Sequence, residues 1–340
     1  MIRKLTESYL ERILKGNENA VFSPVSMMQM LQMLVMGADG ETREEIVRVA
    51  GEELPEVRGD ALYSANALIT REILKNSILP EYAEGMKKYF DGEIFATRDF
   101  VSEVNEWVRK KTFGQILEVA DESMKDTILC LINATSFLAR WERPFFDDEI
   151  FECEEFYNAD GSVSLTDMLY GTERKVEDGD YIGFVKNYFG QEFSFMALLP
   201  KKEMSAPDLT GLFRQEDRSV VDVQFPEFRL TWQDELSSWL KELGIRRAFQ
   251  PGMADFSRLS CEELVIEQVI SKNCIEVDRQ GTKAAAVNLT MMVAGCARMR
   301  NILFFDRPFL FTVMHNDTGL PVFAGVVNQV ENKYDPEEEE

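Results

Sequence analysis

Ile275-Glu276-Val277-Asp278-Arg279-Gln280-Gly281-Thr282-Lys283-Ala284-Ala285-Ala286-Val287 is the stretch whose reading decides the fold. It closes a run over 264–277 rich in Val and Ile, which predicts a strand. Judged alone, the alanine triplet at 284–286 suits a helical turn better than a loop. Read at a period of two, Thr282, Ala284, Ala286, Asn288, Thr290, Met292 and Ala294 share one face, and the early members are small.

Outward from this stretch, runs rich in Val, Ile and Phe predict strands over 63–69, 127–138, 192–199, 219–225, 301–314 and 320–330. Helical signals lie mostly earlier. Ser23 can cap a helix with Pro24 in its first turn, and Met27 to Met36 have hardly a polar face, so this helix is buried, with Gly37 at a left-handed stop. Thr42 with Glu45 gives a capping-box pattern for a short helix ended by Gly51. Val101, Val104, Trp107 and Val108 place a helix over 99–111, and Leu236, Trp239, Leu240 and Leu243 place another over 231–243. Helices in the first half and strands in the second define an α+β protein. No linker divides the 340 residues, so a single domain is expected over 1–334, followed by a disordered acidic tail over 335–340.

With 60 Asp and Glu against 37 Lys and Arg, the net charge of −23 excludes a nucleic-acid partner, since phosphate binding needs clustered cations. The five cysteines, Cys130, Cys153, Cys261, Cys274 and Cys296, are odd in number and lack any CxxC pair, which suggests free thiols rather than disulfides or zinc. The single histidine, His315, flanks a turn, and no GxSxG, HExxH, Walker loop or GxGxxG occurs, so no enzyme, metal or cofactor is expected. Acidic pairs such as Asp147-Asp148 and Glu154-Glu155 read as solvated surface, given the number of carboxylates. Sequons stand at Asn133, Asn288 and Asn316, but Asn133 lies inside an apolar strand where a glycan has no room. No apolar run is long enough to span a membrane, and the first sixteen residues read as an amphipathic helix rather than a signal peptide. The expected location is extracellular if a leader has been removed, and otherwise cytoplasmic.

A colinear set of motifs resembles the serpin family. It comprises Asn19-Ala20-Val21-Phe22-Ser23-Pro24-Val25-Ser26, Met36-Gly37-Ala38, Asn105-Glu106-Trp107-Val108, Thr112-Phe113-Gly114-Gln115-Ile116 and Asn133-Ala134 through Trp141 to Pro144-Phe145. It continues with Pro226-Glu227-Phe228, Leu243-Gly244-Ile245, Ala248-Phe249, Ala254-Asp255-Phe256-Ser257 and Asp306-Arg307-Pro308-Phe309-Leu310-Phe311. The opening stretch then looks like a serpin's fifth strand of sheet A running into the hinge of the reactive-centre loop.

The resemblance implies about eight to nine helices packed on three β-sheets, with an exposed reactive-centre loop. It also implies a metastable, monomeric suicide inhibitor rather than an enzyme: a serine protease attacks the bait bond, and the cut loop inserts into sheet A before the acyl-enzyme is hydrolysed. The hinge is Gly281, Thr282, Lys283, Ala284, Ala285 and Ala286, whose small side chains permit entry between strands; a bulky or charged residue at Thr282 or Ala284 makes the inhibitor a substrate. Counting fourteen residues from Gly281 gives Gly295 as P1 and Cys296 as P1′; counting back from Pro308 allows Ala294 to Ala297. Val293, Ala294 and Gly295 suit an elastase-like or subtilisin-like protease, and Arg298 a trypsin-like one. The shutter and breach positions are Ser23, Ser26, Asn133, Trp141 and Ser271. The family's shutter histidine is replaced by Ser271-Lys272-Asn273, so Ser271 or water must close that network. Arg279 stands where most members carry glutamate, and the span between Gly51 and Tyr63 is too short for a full helix D, so no heparin binding is expected. A non-inhibitory serpin acting as a binding or chaperone protein is the alternative.

Overall fold

The computed structural model describes residues 1–53, 57, 59, 61–216, 218–282 and 302–334. In chain order the first elements are α1 (Ile2–Ile13), β1 (Ala20–Phe22), α2 (Pro24–Gly37), α3 (Gly40–Ala50), β2 (Leu62–Arg71), α4 (Pro80–Phe90), β3 (Glu93–Thr97), α5 (Phe100–Lys111), β4 (Leu129–Phe137) and β5 (Ala139–Arg140). Next come β6 (Ile150–Tyr157), β7 (Val163–Glu177), β8 (Tyr181–Asn187), β9 (Phe193–Pro200), α6 (Leu209–Phe213), β10 (Val220–Pro226), β11 (Phe228–Glu235) and α7 (Ser237–Glu242). The last are β12 (Gln268–Asp278), β13 (Gly281–Thr282), β14 (Ile302–Phe304), β15 (Phe309–His315) and β16 (Leu320–Val327). The α+β class holds.

The chain forms two compact units. The first takes in 1–5, 22–136 and 231–274. Its sheet runs β3-β2-β4-β12, and β12 pairs in parallel with β4 from Gln268 opposite Cys130 to Cys274 opposite Ser136. The apolar face of α5 (Phe100, Val104, Val108) packs with Ile69, Ile132 and Ile270 in a core cluster. Asp99 caps α5 by accepting the Ser102 N–H at 3.2 Å, which satisfies one of the free donors of the first turn.

The second unit takes in 6–21, 137–230 and 275–340. Its strands run in the order β16-β15-β9-β8-β7-β10-β14, with β6 on β7. β7 spans 15 residues and pairs with β6 and β10 along its first part and β8 along its last. One strand thus joins what the resemblance implies as two separate sheets, and the hydrogen-bonded ladders among the described residues form two sheets rather than three. Seven α-helices stand among the described residues, one or two fewer than expected.

Several local expectations change. The helix expected over 231–243 is two elements, β11 and the short α7. In β11 Phe228 and Leu230 are buried between exposed Arg229 and Thr231, a period of two; the helical spacing of Leu236, Trp239 and Leu240 covers only one turn. Gly37 is no left-handed stop: α2 runs through it and ends at extended Ala38. A Cβ at Gly37 would lie 2.9 Å from Tyr82 Cε2 and 3.0 Å from Leu259 Cβ, so glycine is there for close packing. The capping box of Thr42 and Glu45 does not form, because α3 starts earlier, at Asp39. The Thr42 hydroxyl instead accepts the Asp255 N–H at 2.9 Å, and Glu45 accepts the Arg246 and Arg247 N–H groups. The strand expected over 301–314 is broken into β14 and β15 around Pro308, which has no ladder donor.

Candidate functional site

β12 ends at Asp278, the chain turns through Arg279 and Gln280, and β13 comes back antiparallel to it, with Thr282 opposite Val277 and Gly281 opposite Asp278. On its other side β13 pairs with β5, Gly281 opposite Arg140 and Thr282 opposite Ala139. The turn is fixed from within: Asp278 Oδ1 accepts the N–H groups of Gln280 at 2.7 Å and Gly281 at 2.9 Å. Burial raises the Asp278 carboxyl pKa against the pull of those two donors.

Gly281 has φ +151°, and a Cβ there would lie 2.2 Å from the Ala139 carbonyl oxygen, so the backbone of β5 leaves no room for a side chain. Thr282 is fully buried, and its Oγ1 lies 2.7 Å from Tyr188 Oη. Burial drives the Tyr188 pKa far up, so the phenol keeps its proton for this bond.

Trp141 clamps the turn from outside. Its indole N–H donates to the Asp278 carbonyl at 2.9 Å and its backbone N–H to the Gln280 carbonyl at 3.0 Å, while the Phe145 N–H donates to the Arg279 carbonyl at 2.9 Å. The indole stacks on Tyr188 with centroids 4.4 Å apart and planes 10° apart. Lys186 Nζ sits 4.3 Å from the Phe145 ring centroid and 5.5 Å from the Trp141 one, and pairs with Glu173 at 2.7 Å. Burial raises the Glu173 pKa, and Lys186 opposes that rise. A lone lysine in the apolar run of β8 was the sequence signal for this pair; nothing local pointed to Tyr188.

Arg279 is anchored by acids. Glu227 Oε1 accepts from its backbone N–H at 3.0 Å and from its Nε at 3.3 Å, and Asp167 Oδ2 lies 3.9 Å from its Nη2. Both carboxylate side chains are only 11% exposed, so the charges interact with less water screening than a surface pair. A cation thus stands at the turn, with two anions facing it.

In the other unit, the Ser23 hydroxyl caps α2 by accepting the Ser26 N–H at 3.2 Å. Buried Asn133 donates to Asn66 Oδ1 at 2.8 Å and Ser64 Oγ at 3.0 Å; Thr135 Oγ1 lies 2.9 Å from Asn133 Oδ1 and 2.8 Å from Ser26 Oγ. Ser271 is the cross-strand partner of Asn133 in register, but its hydroxyl accepts from the Asn273 amide at 3.0 Å. Thr135, Ser64 and Asn66, none of them singled out in the sequence, complete the hydrogen bonds around Asn133 and Ser26. Lys283, Ala284, Ala285, Ala286, Val293, Ala294, Gly295, Cys296 and Arg298 lie outside the described residues, as does the tail 335–340.

Among the described residues no group of three or more His, Cys, Asp or Glu is placed to hold a metal, and no helix is long and apolar enough to cross a membrane. His315 Nδ1 lies 2.9 Å from Thr318 Oγ1 in its turn.

The family model described as Serpin (serine protease inhibitor) matches residues 2–330, and the chain belongs to that family. Serpin B6 of Macaca fascicularis is 29% identical over 351 residues, covering 91% of this chain and 93% of that protein. The crystal structure of the thermophilic serpin tengpin in the native state superposes with a TM-score of 0.85 at 27% identity, covering 97% of this chain and 94% of that one. Thyroxine-binding globulin in complex with thyroxine shares the fold, with a TM-score of 0.81 at 23% identity over 96% of this chain and 99% of that one.

Proposed function

We propose that this serpin is a suicide inhibitor of serine proteases, acting as one domain over 1–334, with an elastase-like or subtilisin-like target. The observation that carries the reading is β13: Gly281 and Thr282 already lie antiparallel between β12 and β5. An entering strand would continue from that point, and the next alternating residues toward the same face, Ala284 and Ala286, are small. Serpin loop insertion is a well-known instance of strand addition to a sheet.

In this reading the protease serine attacks the Gly295 carbonyl, the bond to Cys296 breaks, and the Cys296 amine takes the proton and leaves. The ester that remains ties the protease to the hinge side of the loop. Insertion then drags the protease away and distorts its oxyanion hole, so water does not complete deacylation. Shutter and breach roles for Ser23, Ser26, Asn133, Ser271 and Trp141 belong to the same proposal: they border the strands that part, or clamp the turn from which insertion proceeds.

Incubation with elastase, subtilisin, chymotrypsin and trypsin, followed by SDS gels and mass spectrometry of the released C-terminal peptide, tests this. A stable adduct with cleavage between Val293 and Cys296 is expected, and Thr282→Arg should be cleaved without forming it. Cleavage after Arg298 by trypsin alone would move the target class, and cleavage without adduct by every protease would reject inhibition.

A further inference from the structure

The family match ends at Val330, and the residues just past it return to the hinge. Asn332 Oδ1 accepts the Leu165 N–H at 2.9 Å and the Lys333 N–H donates to the Leu165 carbonyl at 2.8 Å, so this segment runs beside the start of β7. Lys333 Nζ then lies 2.7 Å from Glu227 Oε2 and 3.1 Å from Asp167 Oδ2, and Tyr334 Oη donates to Asp167 Oδ1 at 2.5 Å. These are the same two carboxylates that face Arg279. Glu227 uses one oxygen for Arg279 and the other for Lys333. The acids are also tied to each other, because the Glu227 N–H donates to the Asp167 carbonyl at 3.2 Å.

We propose that Lys333 and Tyr334 are positioning residues for the hinge turn, acting through Asp167 and Glu227. The cluster balances two anions with two cations at carboxylates that are mostly out of water. Removing Lys333 leaves two anions sharing one guanidinium, and a poorly paired half-buried charge draws in water or moves. The Glu227 carboxylate cannot move without releasing the Arg279 N–H, the contact that sets where the turn begins. Burial alone would raise the Asp167 pKa, but the bonds from Tyr334 and Lys333 outweigh it and hold the group below its ordinary value. Tyr334 is pushed up to about 12, chiefly by its bond to Asp167, so it remains a donor across the physiological range. The end of the described chain is in this way part of the mount on which Gly281 and Thr282 are held. The use of that mount in loop insertion rests on the inhibitor reading; the mount itself does not.

Hydrogen exchange by mass spectrometry on a peptide spanning 275–282 tests the proposal in the full chain. Lys333→Gln and Tyr334→Phe should each speed exchange of the Arg279, Gly281 and Thr282 amides, by about tenfold for Lys333→Gln, the scale of a lost hydrogen bond to a charged group. Lys333→Arg should restore protection, which a role in bulk stability alone would not require. Unchanged hinge exchange in a folded Lys333→Gln variant overturns the proposal, as does faster exchange spread evenly over the whole chain. If the parent chain forms no adduct with any protease yet the hinge responds, the inhibitor reading fails and the positioning role stands.

Discussion

The Thr282 hydroxyl and the Tyr188 phenol lie 2.7 Å apart, both buried, and each is the other's partner across a gap of 94 residues in sequence. Replacing Tyr188 by Phe leaves the threonine hydroxyl buried and unpaired, which costs about 1–3 kcal/mol. The expected result is a lower thermal midpoint for Tyr188→Phe and faster amide exchange at Thr282. The stack on Trp141 keeps most of its area in this variant, so a large loss of global stability would show that the bond is not the main effect.

Gly281→Ala meets a backbone rather than a side chain. The new Cβ would stand 2.2 Å from the Ala139 carbonyl oxygen, and φ near +151° is closed to alanine. We expect a destabilisation of at least about 2 kcal/mol in urea melts, the scale of a forced overpacking, concentrated in the pairing of β13 with β5.

Asn133→Ala removes the donor shared by Asn66 and Ser64 and the acceptor beside Thr135. Thr135 and Ser64 keep Ser26 as a partner, so the main loss is the donor to buried Asn66 Oδ1, which should cost about 1–3 kcal/mol. Calorimetry measures it; a cost under about 1 kcal/mol would mean that Ser26, Ser64, Asn66 and Thr135 close the network without the amide.

Much of this was legible in the chain. Ser23, Pro24 and the methionine run gave α2, and Asp99 with the Val101 to Val108 spacing gave α5, because caps and one-sided apolar faces are local signals. The Val- and Ile-rich run over 264–277 placed most of β12. The helix over 231–243 failed because the period changes within the segment, and Gly37 misled because its reason for being glycine, Tyr82 and Leu259, is distant in sequence. Tyr188, Thr135 and Glu227 stayed hidden for the same cause: each bonds to the chain just after β12 or to Asn133 from a strand or loop that only the tertiary pairing brings near.

Asp278 gives a pH dependence of stated sign. Burial raises its folded pKa, so its contribution to stability is fully present below the unfolded value of about 4 and is lost as pH rises through the folded value. At neutral pH the carboxylate is a burden. Asp278→Asn keeps an oxygen to accept from Gln280 and Gly281 but carries no charge, so it should stabilise the protein at pH 7.5. The advantage should shrink steadily as the pH is lowered to 4.5, read from thermal midpoints of both chains. An advantage that grows toward acid would reverse the assignment.

Thiol reactivity should separate the cysteines. Cys153 and Cys261 are exposed, whereas Cys130 and Cys274 are buried, and burial raises the Cys130 pKa strongly, which removes its thiolate. A short pulse of iodoacetamide on the native chain should modify Cys153 and Cys261 and spare Cys130 and Cys274, as mapped by mass spectrometry. Early labelling of Cys274, which stands opposite Ser136 in the β4–β12 ladder, would report that the two strands open in the resting molecule.

That ladder carries a consequence for any strand laid between its members. β4 and β12 meet in parallel through seven register pairs. A newcomer running antiparallel to both would dissolve one parallel seam and create two antiparallel ones, the stronger kind per residue. Bond counting favours the change in one direction only, and the other parallel seam of this sheet, β2 with β3, is not touched by it. On the inhibitor reading that junction would work like a fuse: once closed by an entering strand, it would offer the strand nothing to gain by leaving.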